Sequence, residues 1–288
     1  MAEISASAVM KLRKMSGQGM MDCKKALQET DGDVDKAMEL LRKKGLATLA
    51  KRAERETSNG KVVTKASDDG KIAALVTLCC ETDFVAKSED FVATANLLAD
   101  YGMACPADEG VDNVLATSID GKTFNDVLTE TVSKTGEKTQ VGDYARFALD
   151  GSGLIATYIH FNGKVGTMVQ IDTSDDSVAA AEGVNRTALD IAMHITASKP
   201  LALDKDGIDP EAVAQEKAVY AEQVKNKPAE IVERIVDGKM KKFFADNCLL
   251  EQPFVKDDSK SVREVLTEAA KQAGGEASIK CFARFEVG

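Results

Sequence analysis

Histidine is nearly absent from this chain of 288 residues: only His160 and His194 occur. Neither stands near a nucleophile and an acid in sequence, so both read as structural side chains, not members of a catalytic set. The Gly-x-x-x-x-Gly-Lys-Ser/Thr phosphate loop is missing, which argues that the chain holds no nucleotide itself. Gly151-Ser152-Gly153 lacks the spacing of a nucleophile elbow. Net positive charge is lacking too. At a formal charge of −10 direct nucleic-acid binding is not expected, because phosphate contacts need clustered Lys and Arg. The local basic clusters, Arg42-Lys43-Lys44 and Lys51-Arg52, read as solvated helix faces.

No apolar run is long enough to cross a bilayer, and no apolar segment follows a basic start, so neither a membrane span nor a signal peptide is expected. The six cysteines have neither zinc-site nor Cys-x-x-Cys spacing, and the vicinal Cys79-Cys80 pair is poor disulfide geometry. A reducing, cytoplasmic compartment follows as the expectation. Asp204-Lys205-Asp206-Gly207-Ile208-Asp209 fails as a calcium loop because its glycine comes too early and no glutamate closes it. The sequon Asn185-Arg186-Thr187 falls in a predicted helix without a secretory signal. No metal, cofactor or catalytic residue is therefore expected.

What is present, with 44% hydrophobic residues, suits a soluble chain of more than one unit. The pattern predicts an α+β protein. Residues 1–55 read as a three-helix bundle. Its helices run from about Ser5 to Met15, from Met20 to Glu29, and from Val34 with Asp33 as N-cap. Ser16-Gly17-Gln18-Gly19 breaks the first helix, and Gly45 suits the end of the third. The bundle is similar to ubiquitin-associated domains, and the charged run Lys51–Glu56 reads as a linker.

Residues 56–140 and 141–200 read as two related α+β subdomains with antiparallel sheets. The first has a hairpin, Lys61–Ala66 with Lys71–Leu78, and then a helix from Ser88 to Tyr101. The second has strands Tyr144–Leu149, Leu154–His160 and Lys164–Ile171, a hairpin signal at Phe161-Asn162-Gly163, and a helix Ser177–Ala197. Residues 201–246 read as an inserted antiparallel helical hairpin. Pro210 and Pro228 start its two helices. Residues 247–288 complete the second subdomain, with a final strand Phe282–Val287.

Laying Lys71–Gly102 over Lys164–Ile195 matches Val76 with Val169, Asp83 with Asp176, Val85-Ala86 with Val178-Ala179 and Thr94-Ala95 with Thr187-Ala188, the mark of a duplication. Phe84 has no apolar counterpart, because Ser177 stands in its place. Two readings are open for Phe84: it folds back on its own helix, or it projects from a surface turn as a wedge on a partner.

Several segments resemble the elongation factor Ts family. They are Leu12-Arg13 with Ser16-Gly17-Gln18-Gly19-Met20-Met21-Asp22-Cys23-Lys24-Lys25-Ala26-Leu27, then Glu81-Thr82-Asp83-Phe84-Val85-Ala86-Lys87, Ile191–Pro200, Gln252-Pro253-Phe254-Val255 and Phe282–Gly288. They follow the family's order along essentially the whole chain. The resemblance implies a nucleotide-exchange factor, not an enzyme, whose partner is elongation factor Tu, GDP-bound or nucleotide-free. It implies that Thr82, Asp83, Phe84 and Val85 act at the partner's magnesium site. It also implies partner contacts at Arg13, Met20 and Met21 of the bundle and at His194 of the core. For Met20 and Met21 the residues leave open whether one of them fills the bundle core.

The helical hairpin matches the family's coiled-coil projection. That projection supports self-association in some members, so a homodimer or a two-to-two complex is open. Many members continue past the positions matched by Phe285–Gly288 into a C-terminal helix. This sequence stops there, so that contact is not carried over from the resemblance. Asp190 stands where several relatives have His, so no contact is carried over to it. Two other readings compete with exchange. One is a thiol enzyme using Cys79 or Cys80, against which Glu81 and Asp83 work by raising a thiol pKa. The other is an adaptor built on the bundle.

Overall fold

The computed structural model describes residues 4–16 and 18–288. It opens with three helices, α1 (Ala6–Ser16), α2 (Met20–Glu29) and α3 (Val34–Lys51). Their core is Val9, Leu12, Cys23, Ala26, Leu27, Ala37 and Leu41. The Asp33 carboxylate accepts the N–H groups of Asp35 and Lys36 at 3.1 and 3.0 Å, which satisfies two of the orphan donors of α3. Gly17 lies outside the described residues. Gly19 sits at φ −58°, a conformation open to any residue.

The third helix runs past its expected end. Gly45 lies within α3 because that face of the helix meets the core. A Cβ there would stand 2.8 Å from the carbonyl oxygen of Thr129. Close backbone approach, not helix termination, is the demand for glycine here. Nor is the segment after α3 a free linker, as the contacts of Arg52 below show.

The first sheet-bearing unit has β1 (Asn59–Ala66), β2 (Ile72–Cys80), α4 (Asp83–Ala86), α5 (Glu89–Ala104), α6 (Val111–Ala116), β3 (Ser118–Ile119), β4 (Lys122–Thr123), α7 (Phe124–Thr135) and β5 (Thr139–Ala148). Its sheet has the order β1-β2-β5, antiparallel throughout. The expectation placed the strand around Tyr144 with the second subdomain. The structure instead pairs it with β2, from Cys80↔Thr139 to Ile72↔Ala148. The reason is that β2 is buried almost throughout, and a central strand needs a hydrogen-bonding neighbour on each edge.

The second unit has β6 (Gly153–Ile159), β7 (Val165–Thr173), α8 (Asp176–Ala180) and α9 (Glu182–Ser198). A helical hairpin follows, α10 (Pro210–Gln223) and α11 (Ala229–Asn247), and then β8 (Pro253–Phe254), β9 (Asp257–Ser261), α12 (Val262–Gln272) and β10 (Ala277–Glu286). Its sheet has the order β10-β7-β6. Thus β2-α4-α5 and β7-α8-α9 repeat one motif, with Thr82 capping the first short helix and Asp175 the second.

Strand parity explains the layers. In β2, Val76, Leu78 and Cys80 face Phe91, Ala95 and Leu98 of α5 and Phe124, Val127 and Leu128 of α7. The alternate residues Ala73, Leu75 and Cys79 pack with Met168, Ile155, Ile159 and Phe285 of the other sheet. Each fully buried Val or Leu on such a strand contributes roughly 1.5–3 kcal/mol of transfer free energy. The helical hairpin is tied in at its base by Ala202, Ile208, Cys248, Phe243 and Phe244. Its first helix buries no residue.

Candidate partner-binding turn after the second strand

Strand β2 ends at Cys80, and Glu81 and Thr82 turn the chain into α4. Thr82 is the N-cap, with β-region backbone angles and its hydroxyl accepting the Val85 N–H. Four residues make too short a helix to stand alone, so its position comes from what holds it. The underside is apolar. Ala86 is buried and Val85 half-buried against the core of the first unit. The polar side is held from a distance in sequence. Glu137, in the loop between α7 and β5, accepts the Thr82 hydroxyl at 2.8 Å and the Thr82 N–H at 3.1 Å.

This footing leaves Phe84 with 83% of its surface exposed. The ring does not fold back onto its helix, which removes the first of the two readings of its position. Asp83 beside it is exposed and pairs with Lys87 at 2.7 Å. The Lys87 ammonium, by hydrogen bond and then by charge, holds the Asp83 carboxyl below the ordinary range, so Asp83 is anionic at neutral pH. The turn therefore presents a fixed carboxylate next to an uncovered aromatic ring. Burying such a ring on a partner removes a large apolar area from water.

The other predicted residues lie elsewhere. Arg13 is exposed near the end of α1. Met20 and Met21, at the start of α2, are 50% and 62% exposed, so neither fills the bundle core. Met10 and Met15 add two further exposed thioethers on α1. Flexible, polarizable side chains of this kind suit a contact surface.

His194 is different. It is fully buried. Its Nδ1 accepts the Val255 N–H at 3.2 Å, so Nε2 carries the proton and donates to Gln252 Oε1 at 2.9 Å. Gln252 in turn donates to the carbonyl of Asp246 at 2.8 Å. Burial pushes the His194 pKa down, with the Gln252 bond partly opposing it. The side chain has no face to offer a partner. It fastens α9 to the Gln252–Val255 segment, which reaches the surface through Pro253 and through Val255, 54% exposed.

Two groups that hold the turn were not read from the sequence, Glu137 and Arg52. Arg52 Nη1 donates to both oxygens of Glu81, at 2.7 and 2.8 Å. A signal for the element behind Glu137 was there. Thr123 and Asp126 form a capping box for α7, and Gly136 closes it in the left-handed region at φ 69°. No local pattern pairs Arg52 with Glu81.

Cys79 and Cys80 are buried. Burial first, then the charge of Glu137, pushes the Cys80 thiol up to about 12. Burial raises Cys79 as well, with Asp143 adding to it. A thiolate nucleophile at neutral pH has no support at either position. Among the described residues no group of three or more His, Cys, Asp or Glu is placed to hold a metal ion. No described helix is long and apolar enough to cross a membrane. A second uncovered ring, Phe161, stands at the tip of the β6–β7 hairpin, 91% exposed.

Comparison with known proteins gives one consistent result. The family model described as elongation factor TS matches residues 81–288, beginning at the turn that carries Phe84. Among curated proteins, elongation factor Ts of Nitratiruptor sp. is 43% identical over 287 residues, covering 99% of this chain and 93% of the relative. Elongation factor Ts of Clostridium perfringens is 43% identical over 288 residues with the same coverage. That of Chloroherpeton thalassium is 39% identical over 294 residues, covering 100% of this chain and 99% of the relative.

Proposed function

The chain belongs to the elongation factor Ts family, and from that premise we propose that it is a guanine-nucleotide exchange factor that binds elongation factor Tu and promotes GDP release. The observation that carries this reading is Phe84, uncovered at the head of a short helix that Glu137 and the core hold in place. The physics is linkage. A factor that binds the nucleotide-free partner more tightly than the GDP-bound one weakens GDP by the same ratio. GDP held with magnesium and a phosphate-cradling loop depends on a few elements in exact register. An inserted ring and carboxylate that move those elements remove several contacts at once. Thr82 and Val85 shape the turn, while Asp83 and Phe84 enter the partner.

The bundle supplies a second contact through Arg13, Met20 and Met21, and resembles a ubiquitin-associated domain in its three-helix arrangement. Phe161 is a further exposed anchor for the same partner. The helical hairpin is the coiled-coil projection and is free to serve self-association. The protein acts by binding, needs no cofactor or metal of its own, and works in the cytoplasm where translation runs. The test is the release rate of fluorescent GDP from elongation factor Tu, with and without this protein. Unchanged release at saturating protein would reject the reading.

A further inference from the structure

The turn that presents Phe84 is fastened to two other parts of the chain by two carboxylates. Glu137 takes both polar hydrogens of Thr82, its N–H and its hydroxyl. Glu81, directly before the cap, takes Arg52 Nη1 on both oxygens and also the Lys138 N–H at 2.6 Å. The Lys138 ammonium then donates to the carbonyls of Ala53 at 2.7 Å and Arg55 at 3.0 Å. Asn59 Nδ2 closes the set on the Glu81 carbonyl at 3.1 Å. Residues 52–55, the loop at 137–138 and the turn at 81–82 are thus one hydrogen-bonded unit.

Both outer members of that unit lead back to the bundle. Arg52 directly follows α3. Glu137 follows the C-terminal end of α7, the helix on which α3 lies through Gly45 and Thr129, Leu41 and Ser133, and the Arg42–Asp126 pair. The position of the bundle and the position of the wedge therefore share the same supports.

We propose that Arg52, Glu81 and Glu137 are positioning residues for exchange, a clamp that fixes the direction in which Phe84 is presented and keys it to the docked bundle. The proposal rests on the exchange reading above. Its physical basis is the asymmetry between stability and geometry. Arg52 is partly exposed and Glu81 mostly covered. A partly exposed ion pair contributes little to folding stability. Charge-assisted bonds of this kind are nonetheless short and directional, and they fix a turn whose own helix is too short to fix itself. Without the clamp, α4 keeps its apolar footing on Val85 and Ala86, while Phe84 samples more than one direction. Fewer encounters with the partner then insert it productively, although the surfaces that dock are unchanged.

The experiment separates the maximal rate of fluorescent GDP release from the half-saturating concentration, for wild type, Arg52→Ala, Arg52→Lys, Glu137→Gln and Phe84→Ala. The expected result is a maximal rate lower by about tenfold in Arg52→Ala, with the half-saturating concentration near wild type. Arg52→Lys should recover most of the rate, because the ammonium still reaches the carboxylate. Glu137→Gln, an isostere that must turn a donor toward one of the two hydrogens of Thr82, should also slow the reaction. It carries the test if Arg52→Ala does not fold. In parallel, 4-fluorophenylalanine placed at position 84 reports the turn in the free protein. One sharp fluorine resonance in wild type should broaden or split in Arg52→Ala.

If Phe84→Ala is slow while Arg52→Ala and Glu137→Gln keep the full maximal rate, the clamp is overturned and the exchange reading stands. A loss seen only as a raised half-saturating concentration also overturns it, because the three residues would then hold the interface and not the wedge. If Phe84→Ala itself releases GDP at full rate, the wedge role of Phe84 falls, while exchange itself is judged by release with and without the wild-type protein. The fluorine spectrum then decides the clamp alone, and an unchanged sharp line in Arg52→Ala rejects it.

Discussion

Gly45 of α3 rests on the carbonyl oxygen of Thr129 in α7, so closely that a Cβ at position 45 would stand 2.8 Å from it and 3.0 Å from Ser133 Cβ. The contact joins the bundle to the core through backbone, which cannot move aside as a flexible side chain can. Gly45→Val should force the two helices apart at a cost of roughly 1–3 kcal/mol. Gly45→Ala should cost less, because alanine recovers about 1 kcal/mol of helix propensity. Limited proteolysis across residues 52–58 checks this. Cleavage should be fastest in Gly45→Val, and wild-type resistance in that variant would show that the docking tolerates the volume.

Removing residues 1–50 takes away the whole of that contact and leaves the face of α7 around Thr129 and Ser133 uncovered. The linker expected at Lys51–Glu56 implied few contacts across this boundary, and the α3–α7 packing shows more. The truncated protein should still fold, because both sheets and their helices remain, but it should melt at a lower temperature than the full chain. If the bundle is a tethered second contact, the half-saturating concentration for exchange should rise more than the maximal rate falls. Equal half-saturating concentrations for the full and shortened chains would make the bundle dispensable.

Stability should depend on His194 in mildly acidic solution. The folded protein lowers the His194 pKa from an ordinary value of about 6.5, so below that value the unfolded chain takes up the proton first. Stability from this group is fully present above the unfolded pKa and is lost as pH falls through it toward the lower folded value. Urea unfolding at pH 7.5 and at pH 5.5 should show a drop in wild type. The drop should shrink in His194→Gln, a variant already destabilised by about 1–3 kcal/mol through unpaired buried groups. An equal drop in both proteins would assign the pH dependence elsewhere.

Cys79 and Cys80 should be silent toward a thiol reagent in the native state. Both are covered and both are held toward the protonated form, Cys80 up to about 12. Labelling near neutral pH should therefore proceed at the rate of opening or unfolding, and urea should accelerate it. Fast labelling of either cysteine in the folded protein would restore the thiol-enzyme reading.

Local patterns made much of the fold legible. The continuous apolar run Ile72–Leu78 marked a buried strand, Pro210 and Pro228 marked the starts of the hairpin helices, and the Thr82–Val85 turn was identified from its flanks. What stayed hidden was non-local. A glycine reads as a helix end when nothing shows the helix that crosses it, so Gly45 was misassigned. The strand at 139–148 was grouped by its neighbours in sequence, while its pairing with β2 is set by the need of a central strand for a second edge. Helices α7 and α12 had capping boxes at Thr123–Asp126 and Ser261–Glu264 and could have been found. Glu137 could not have been tied to Thr82, because their bond spans the chain segment that folds into α5, α6 and α7 between them.

The decisive variant is Phe84→Ala. The ring is exposed and packs on no part of the core, so its removal should change folding stability by no more than about 0.5 kcal/mol. The footing of the turn, Ala86, Val85 and the Thr82–Glu137 bonds, does not involve the ring and should persist. If the ring is the wedge, its loss should remove a central anchor, typically worth about 2 kcal/mol or more. That loss should fall on the maximal rate of GDP release, since the ring acts after docking. Phe84→Leu should recover part of the rate by restoring apolar volume, whereas Asp83→Asn should test the carboxylate with the ring in place. Measured maximal rates for these variants, each checked by thermal melting, separate the possibilities. A Phe84→Ala protein that melts like wild type and releases GDP at the wild-type rate would leave the exposed ring without a function in exchange. One that unfolds would mean that the ring supports the structure in a way its exposure does not show.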